Sequence, residues 1–191
     1  MKHLLLIGML FTFLSAGCQA DNSNTTFHQV EMLENPQGVS TVQPRLSWQI
    51  TADVPNALQD SYRVQVAANA EDLKKEKNLL WDSGVIKSDQ SHLIPYDGEQ
   101  LLSRGKYYWR VKVSINGNEK EWSDINHWSM ALLNDSDWQA QWIGEDAMSN
   151  QNESAEGDTR LAARYNRKPF EAKRKIKRSM IYISGLGTYE A

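Results

Sequence analysis

Tyr107-Tyr108-Trp109-Arg110-Val111-Lys112-Val113 decides the fold. Tyr107, Trp109, Val111 and Val113 share one face of an extended chain, opposite Tyr108, Arg110 and Lys112. That is the period of a strand with one side in a core. Upstream, Leu46, Trp48 and Ile50 repeat the pattern within Pro44-Arg45-Leu46-Ser47-Trp48-Gln49-Ile50, and Tyr62, Val64 and Val66 within Ser61–Ala67. His28 to Leu33 alternates and stops at the turn signal Asn35-Pro36-Gln37-Gly38. Leu80-Trp81-Asp82-Ser83-Gly84 predicts a short strand and turn, and the charged stretch from Ala70 to Lys77 predicts one or two helical turns. His92-Leu93-Ile94-Pro95 fits only an edge strand, because Pro95 has no N–H for a ladder. Downstream, Asn116-Gly117 predicts a hairpin turn, and a further strand is expected from Trp122 through Trp128 to Met130.

About seven short strands between residues 27 and 134, without a cysteine among them, predict an all-β protein built on a β-sandwich. Three features resemble the fibronectin type III-like, immunoglobulin-like class. Trp48 stands at the tryptophan position of the second strand, Tyr107 to Val113 resembles the Tyr-x-x-Arg-Val strand, and Gly117 with Glu121-Trp122-Ser123 resembles the Gly…Trp-Ser ending. The alternative is another Greek-key sandwich.

The first twenty residues stand apart from this fold. Lys2 and His3 precede an apolar run from Leu4 to Leu14, followed by Ser15-Ala16-Gly17, which reads as a secretory signal over residues 1–20. The single cysteine of the chain, Cys18, follows directly. It resembles the lipidated cysteine of a bacterial lipobox, with Ser15 where leucine is usual, and predicts an exported protein held to the outer membrane by a lipid. Ordinary cleavage after Ala20 is the alternative. With one cysteine no disulfide can form within the chain, so stability has to come from packing. Residues 21–26 read as a polar tether. The net charge of −3 argues against a nucleic-acid partner.

Residues 135–161 read as a junction and acidic linker, from Asp135-Ser136-Asp137-Trp138 through Trp142-Ile143-Gly144. Residues 162–191 read as the truncated start of a second β-sandwich domain, with strands at Ala162–Phe170 and Met180–Gly185 and a solvated basic turn at Lys173–Arg178. So short a segment encloses no core of its own.

Few residues point to chemistry. His3, His28, His92 and His127 lie apart and show no ligand spacing, so neither a metal nor any other cofactor is expected. Gly185-Leu186-Gly187 lacks the third glycine and the following helix of a dinucleotide fingerprint. No catalytic residue is assigned: the carboxylates are plentiful, yet none is set in an apolar pocket that would raise its pKa. Among the tryptophans, Trp48 and Trp109 belong to the core pattern. Trp81, Trp138 and Trp142 lie near turns or the junction and are the candidates for contact with a sugar face or a neighbouring domain.

A longer series of motifs runs through the chain in order: Leu33-Glu34-Asn35-Pro36-x-Gly38, Pro44-Arg45-Leu46-Ser47-Trp48, Leu80-Trp81-Asp82-Ser83-Gly84, Tyr108-Trp109-Arg110-Val111 and Ser136-Asp137-Trp138-x-Ala140-x-Trp142-Ile143-Gly144. This series resembles the N-terminal region of bacterial multidomain α-L-rhamnosidases. Ala163-Arg164-Tyr165-x-Arg167-Lys168-x-Phe170 and Tyr182-Ile183-Ser184-Gly185-Leu186-Gly187-x-Tyr189-Glu190-Ala191 resemble the opening of that family's next β-sandwich. The resemblance implies a downstream α/α barrel in which two carboxylates, roughly 6.5–9.5 Å apart, cleave terminal L-rhamnose with inversion. None of those residues falls within this sequence, so the chain alone is expected to be an inactive accessory portion of a glycoside hydrolase. Its implied partners are the catalytic domain of the same polypeptide and rhamnose-containing glycans. The rival expectation is a free-standing carbohydrate-binding or adhesion module of a surface lipoprotein.

Overall fold

A computed structural model describes residues 23–143, 167–172, 174–176 and 178–185. Nine strands and one α-helix fall between residues 24 and 129: β1 (Asn24–Val30), β2 (Arg45–Thr51), β3 (Gln59–Ala67), α1 (Ala70–Lys75), β4 (Leu79–Asp82), β5 (Ile86–Lys87), β6 (Ile94–Pro95), β7 (Lys106–Ile115), β8 (Asn118–Glu119) and β9 (Asn126–Ser129). They form two antiparallel sheets. One is three-stranded, in the order β1-β2-β6; the other is six-stranded, centred on β3 and β7, with β4 and β5 on the β3 side and β8 and β9 on the β7 side. The sandwich expected from the alternation is therefore present, with Pro95 on the edge strand β6.

The inward faces are those the period-two pattern names. Leu46, Trp48, Val64, Val66, Trp109, Val111 and Val113 are all 2% exposed or less. Their rings meet edge to face, Trp48 on Tyr62 at 5.3 Å and Tyr96 on Trp128 at 6.4 Å between centroids. Trp48 also donates its indole N–H to Gln59 Oε1 (2.9 Å), and Gln59 Nε2 donates in turn to the carbonyls of Ser88 and Gln90. A buried amide thus satisfies the tryptophan while fixing the loop that leads back to the smaller sheet.

Local chemistry places the turns. Asn116 and Gly117 both hold positive φ, 50° and 79°, as a two-residue hairpin between β7 and β8 requires. Asn69 caps α1 by accepting from the Asp72 N–H (2.9 Å). The Tyr107 hydroxyl accepts from the Leu102 N–H (2.8 Å), a tyrosine corner at the start of β7. Gly105 makes room for that ring, since a Cβ there would stand 2.5 Å from the hydroxyl.

The structure departs from the sequence expectations in four places. The stretch expected as a tether over 21–26 enters the fold at Asn24: β1 pairs with β2 from Asn24 opposite Thr51 onward, and the Thr26 and Thr51 hydroxyls meet at 2.9 Å. The strand expected over His28–Leu33 ends at Val30, because Glu31 and Met32 turn into the left-handed region. The strand expected from Trp122 to Met130 starts only at Asn126; the chain before it holds β7 through Ser123, whose N–H donates to the Val111 carbonyl (2.8 Å) and whose hydroxyl accepts from the Val111 N–H (3.0 Å). Finally, Met180–Gly185 and 167–170 form no strand, while Ala162–Asn166 lie outside the described residues, as do the signal, Cys18 and most of the acidic linker.

Because Trp48 joins the core to the Gln59 bridge, Trp48→Ala should cost about 3–5 kcal/mol of unfolding free energy. Urea denaturation of parent and variant measures this, and a loss near zero would place the tryptophan outside the load of the core.

Candidate functional site

The outer face of the larger sheet carries a cluster of charged and polar side chains around Trp122. Strand pairing sets Arg63 opposite Lys112 and Gln65 opposite Arg110, all pointing away from the core. Two cations directly opposite each other repel, and the surrounding residues offset this. Trp122 lies over the row, its ring 4.1 Å from the Arg110 guanidinium carbon, 5.1 Å from Lys112 Nζ and 5.8 Å from the Arg63 guanidinium carbon. Arg63 grips Asp82 through two bonds of 2.8 and 2.6 Å, and Lys112 pairs with Glu119 at 2.9 Å. Arg110, 7% exposed, donates to Gln65 Oε1 twice and to Glu76 Oε1. Gln65, fully buried, passes its own amide N–H to Asp82. The layer is a closed, charge-balanced network.

Acid–base chemistry requires a carboxyl held protonated near neutral pH beside one that is ionised. Glu31, Glu71, Asp82 and Asp137 all move the other way. Hydrogen bonds from Arg45, Lys74, Arg63 and Ser103 respectively are the leading cause that holds each below the ordinary carboxylate range. Among the described residues no group of three or more His, Cys, Asp and Glu side chains could hold a metal ion. A surface depression of about 300 Å³ runs between Glu31 and Thr41, lined by the apolar Leu33, Pro36 and Val39 together with Glu31, Gln37, Ser40 and Thr41.

The three candidate tryptophans do not form one surface patch. Trp81, on β4, is partly buried and packs against the core with its ring edge-on to Tyr96 at 5.4 Å. Gly98 permits that packing, since a Cβ there would lie 2.5 Å from the Leu80 carbonyl and the Trp81 Cβ. Trp138 and Trp142, by contrast, are 42% and 70% exposed where the chain leaves the sandwich. The Arg63–Arg110–Lys112–Trp122 layer was not expected from sequence. Its signal is the outward set Arg110 and Lys112 followed by the Trp122-Ser123 pair, but the cross-strand partners Arg63 and Gln65 emerge only with the register.

The fold and this neutralised outer layer together define an immunoglobulin-like β-sandwich module without an assembled reaction centre among its described residues. Residues 26–134 match the family model described as "Rha78A-like, N-terminal immunoglobulin domain", and the chain belongs to that family. Curated relatives include an α-L-rhamnosidase of Streptomyces avermitilis, 37% identical over 135 residues that cover 70% of this chain and 13% of the relative. An α-L-rhamnosidase of Formosa agariphila is 31% identical over 161 residues, covering 84% of this chain and 17% of the relative. The crystal structure of the Streptomyces avermitilis enzyme complexed with L-rhamnose superposes with a TM-score of 0.62 at 36% identity, covering 66% of this chain and 12% of that one. The structure of α-L-rhamnosidase from Dictyoglumus thermophilum superposes with a TM-score of 0.62 at 27% identity, covering 64% of this chain and 14% of that one. The chain thus spans less than a fifth of the length of these relatives and corresponds to their N-terminal region.

Asp82 links the outer layer to pH. Its carboxyl is depressed in the fold, so its contribution is present above the unfolded value of about 4 and is lost as pH falls through the folded one. Urea midpoints should therefore decline as pH drops below about 4, and Asp82→Asn, less stable at neutral pH, should show a shallower decline. Equal slopes for both proteins would contradict the assignment.

Proposed function

We propose that this chain is the non-catalytic N-terminal portion of an exported glycoside hydrolase acting on terminal α-L-rhamnosides. Its work is to space and support the catalytic domain of the same polypeptide. The observation that carries the reading is the match of its sandwich to the N-terminal region of proteins named α-L-rhamnosidases, which extend far beyond it. Two physical features support a supporting role. Arg63, Arg110 and Lys112 on the broad sheet are paired with Asp82, Glu76 and Glu119, and the described carboxyls with shifted titration are shifted down, away from the value a general acid needs.

Export and anchoring complete the proposal. The apolar run Leu4–Leu14 with Cys18 behind Ala16-Gly17 supports a lipid-anchored form at the outer membrane, facing rhamnose-containing glycans.

The purified chain should release no p-nitrophenol from an aryl α-L-rhamnoside; release above a mock preparation would overturn the accessory role. Produced in a Gram-negative host, the chain should partition into the detergent phase, and Cys18→Ala should shift it to the aqueous phase. A variant that partitions like the parent would rule out lipidation at Cys18.

A further inference from the structure

The chain leaves the sandwich through a clamp. Ser103 donates its hydroxyl to Asp137 Oδ2 and accepts the Leu133 N–H (2.8 Å), and the Asn134 N–H donates to the same carboxylate oxygen (3.0 Å). Arg104 donates from Nη2 to the Asp137 carbonyl (2.8 Å). Its backbone N–H is held by the Ala131 carbonyl (3.1 Å), and it sits at φ 64°, so the side chain projects from a tight corner just before β7. The same guanidinium also lies 5.8 Å from the ring centre of Tyr182, within the range of a cation–π contact. One residue therefore touches both the exit from the sandwich and a segment that follows the acidic linker.

The segment around Tyr182 shows a pattern of its own. Met180 and Tyr182 are half-buried, whereas Ser179, Ile181, Ile183 and Ser184 are exposed, Ile181 at 73% and Ile183 at 44%. From Ser179 to Ile183 exposure therefore alternates, as along an extended chain, although no ladder bonds hold it, and from Ser184 the chain is exposed. Charge reaches the same edge of the sandwich: Arg178 lies near enough to His127, beside Lys106, to help keep that imidazole below its ordinary pKa, burial being the larger cause. His127 lies tilted against Tyr108 at 6.0 Å, and Lys106 Nζ stands 5.1 Å from the centre of the same ring. The edge formed by Arg104, Lys106, Tyr108 and His127 is rich in cations over aromatic rings, a surface suited to a tyrosine.

We propose that the Arg104 corner of the sandwich is a docking site for residues 178–184 of the same chain, with Tyr182 as the docked side chain and Met180 beside it. The contact turns the segment after the linker into a strap that lies along the sandwich. Its opposite side, Ile181 and Ile183, is left as an apolar row. On the reading of the preceding section, that row is offered to the following β-domain of the same polypeptide, so that the two domains start from a fixed relative orientation. Arg104 and Asp137 would then act as positioning residues for the domain junction.

Tryptic cleavage after Arg174, Lys175 and Arg178 in the native chain reads the strap directly. Tyr182→Ser and Met180→Ser should each speed this nicking several-fold, while Ile181→Ser and Ile183→Ser, on the outward side, leave it unchanged. The double variant Arg104→Lys, Tyr182→Ser should be nicked no faster than Tyr182→Ser alone, since the two residues make one contact. Tyr182→Ser should leave the urea midpoint of the sandwich where it is, which separates loss of the strap from loss of the fold. Equal nicking in parent and Tyr182→Ser, or equal acceleration by the inward and outward pairs, would overturn the proposal. The outcome does not depend on whether the parent polypeptide cleaves rhamnosides, which the aryl rhamnoside assay decides separately.

Discussion

With a single cysteine in 191 residues, this sandwich cannot tie its two sheets together covalently, and everything between the sheets has to be held by packing. The solution is aromatic. Trp48 from the smaller sheet meets Tyr62 from the larger one, Tyr96 bridges Trp81 and Trp128, and Tyr107 lies tilted on Trp128 at 5.6 Å. Large rings supply area with few rotamers to freeze, so a modest number closes the core. Their polar ends impose a second condition. The Trp48 N–H and the Tyr107 hydroxyl both find partners, whereas the buried Trp109 Nε1 finds none among the described residues and has the His28 ring edge-on at 5.9 Å. Gln59 and the β7 corner follow from those needs, and the loops over 88–90 and 102–105 follow from Gln59 and Tyr107.

The same economy governs the other face of β7. A sheet face left toward solvent needs no network, yet Arg110 and Gln65 are as buried as core residues. Trp122 is the cause: by lying across the row it removes water from the cations, and a cation taken from water needs partners. Glu76, which caps the end of α1, Asp82 of β4 and Glu119 of β8 provide them. The outer layer thereby ties peripheral elements to the central β3–β7 pair, and its charges are used up in doing so.

How much of this was legible in the sequence depends on the range of the interaction. The period-two faces of β2, β3 and β7, the Asn116-Gly117 hairpin, the helical turns after Asn69 and the edge position of Pro95 are set by neighbouring residues, and all could be read directly. The break at Glu31 and Met32 and the delayed start of β9 could not, because they answer to distant partners: Glu31 turns to meet Arg45 at 2.5 Å, and Ser123 is held by Val111. Trp81 illustrates the same limit, since its turn-proximal position does not disclose the core contact that its ring makes with Tyr96. The family itself was legible because its motifs fall on the turns and core positions that local chemistry fixes.

The distribution of exposed apolar groups bears on what such a module is for. Within the sandwich they are scattered, as on any soluble surface. Beyond the Asp135–Asp137 turn, among the described residues, Trp138, Trp142, Ile143, Phe170, Ile176, Ile181 and Ile183 are all at least 42% exposed. Apolar groups held at the surface along such a stretch mark a face suited to contact with a neighbour. Their position after the clamp at Ser103, Arg104 and Asp137 places the apolar demand on the side where the longer relatives continue, and leaves the sheet faces polar and self-contained. That division of surface suits a spacer that presents one sticky end to a neighbour better than it suits a module that grips a ligand on its sheets.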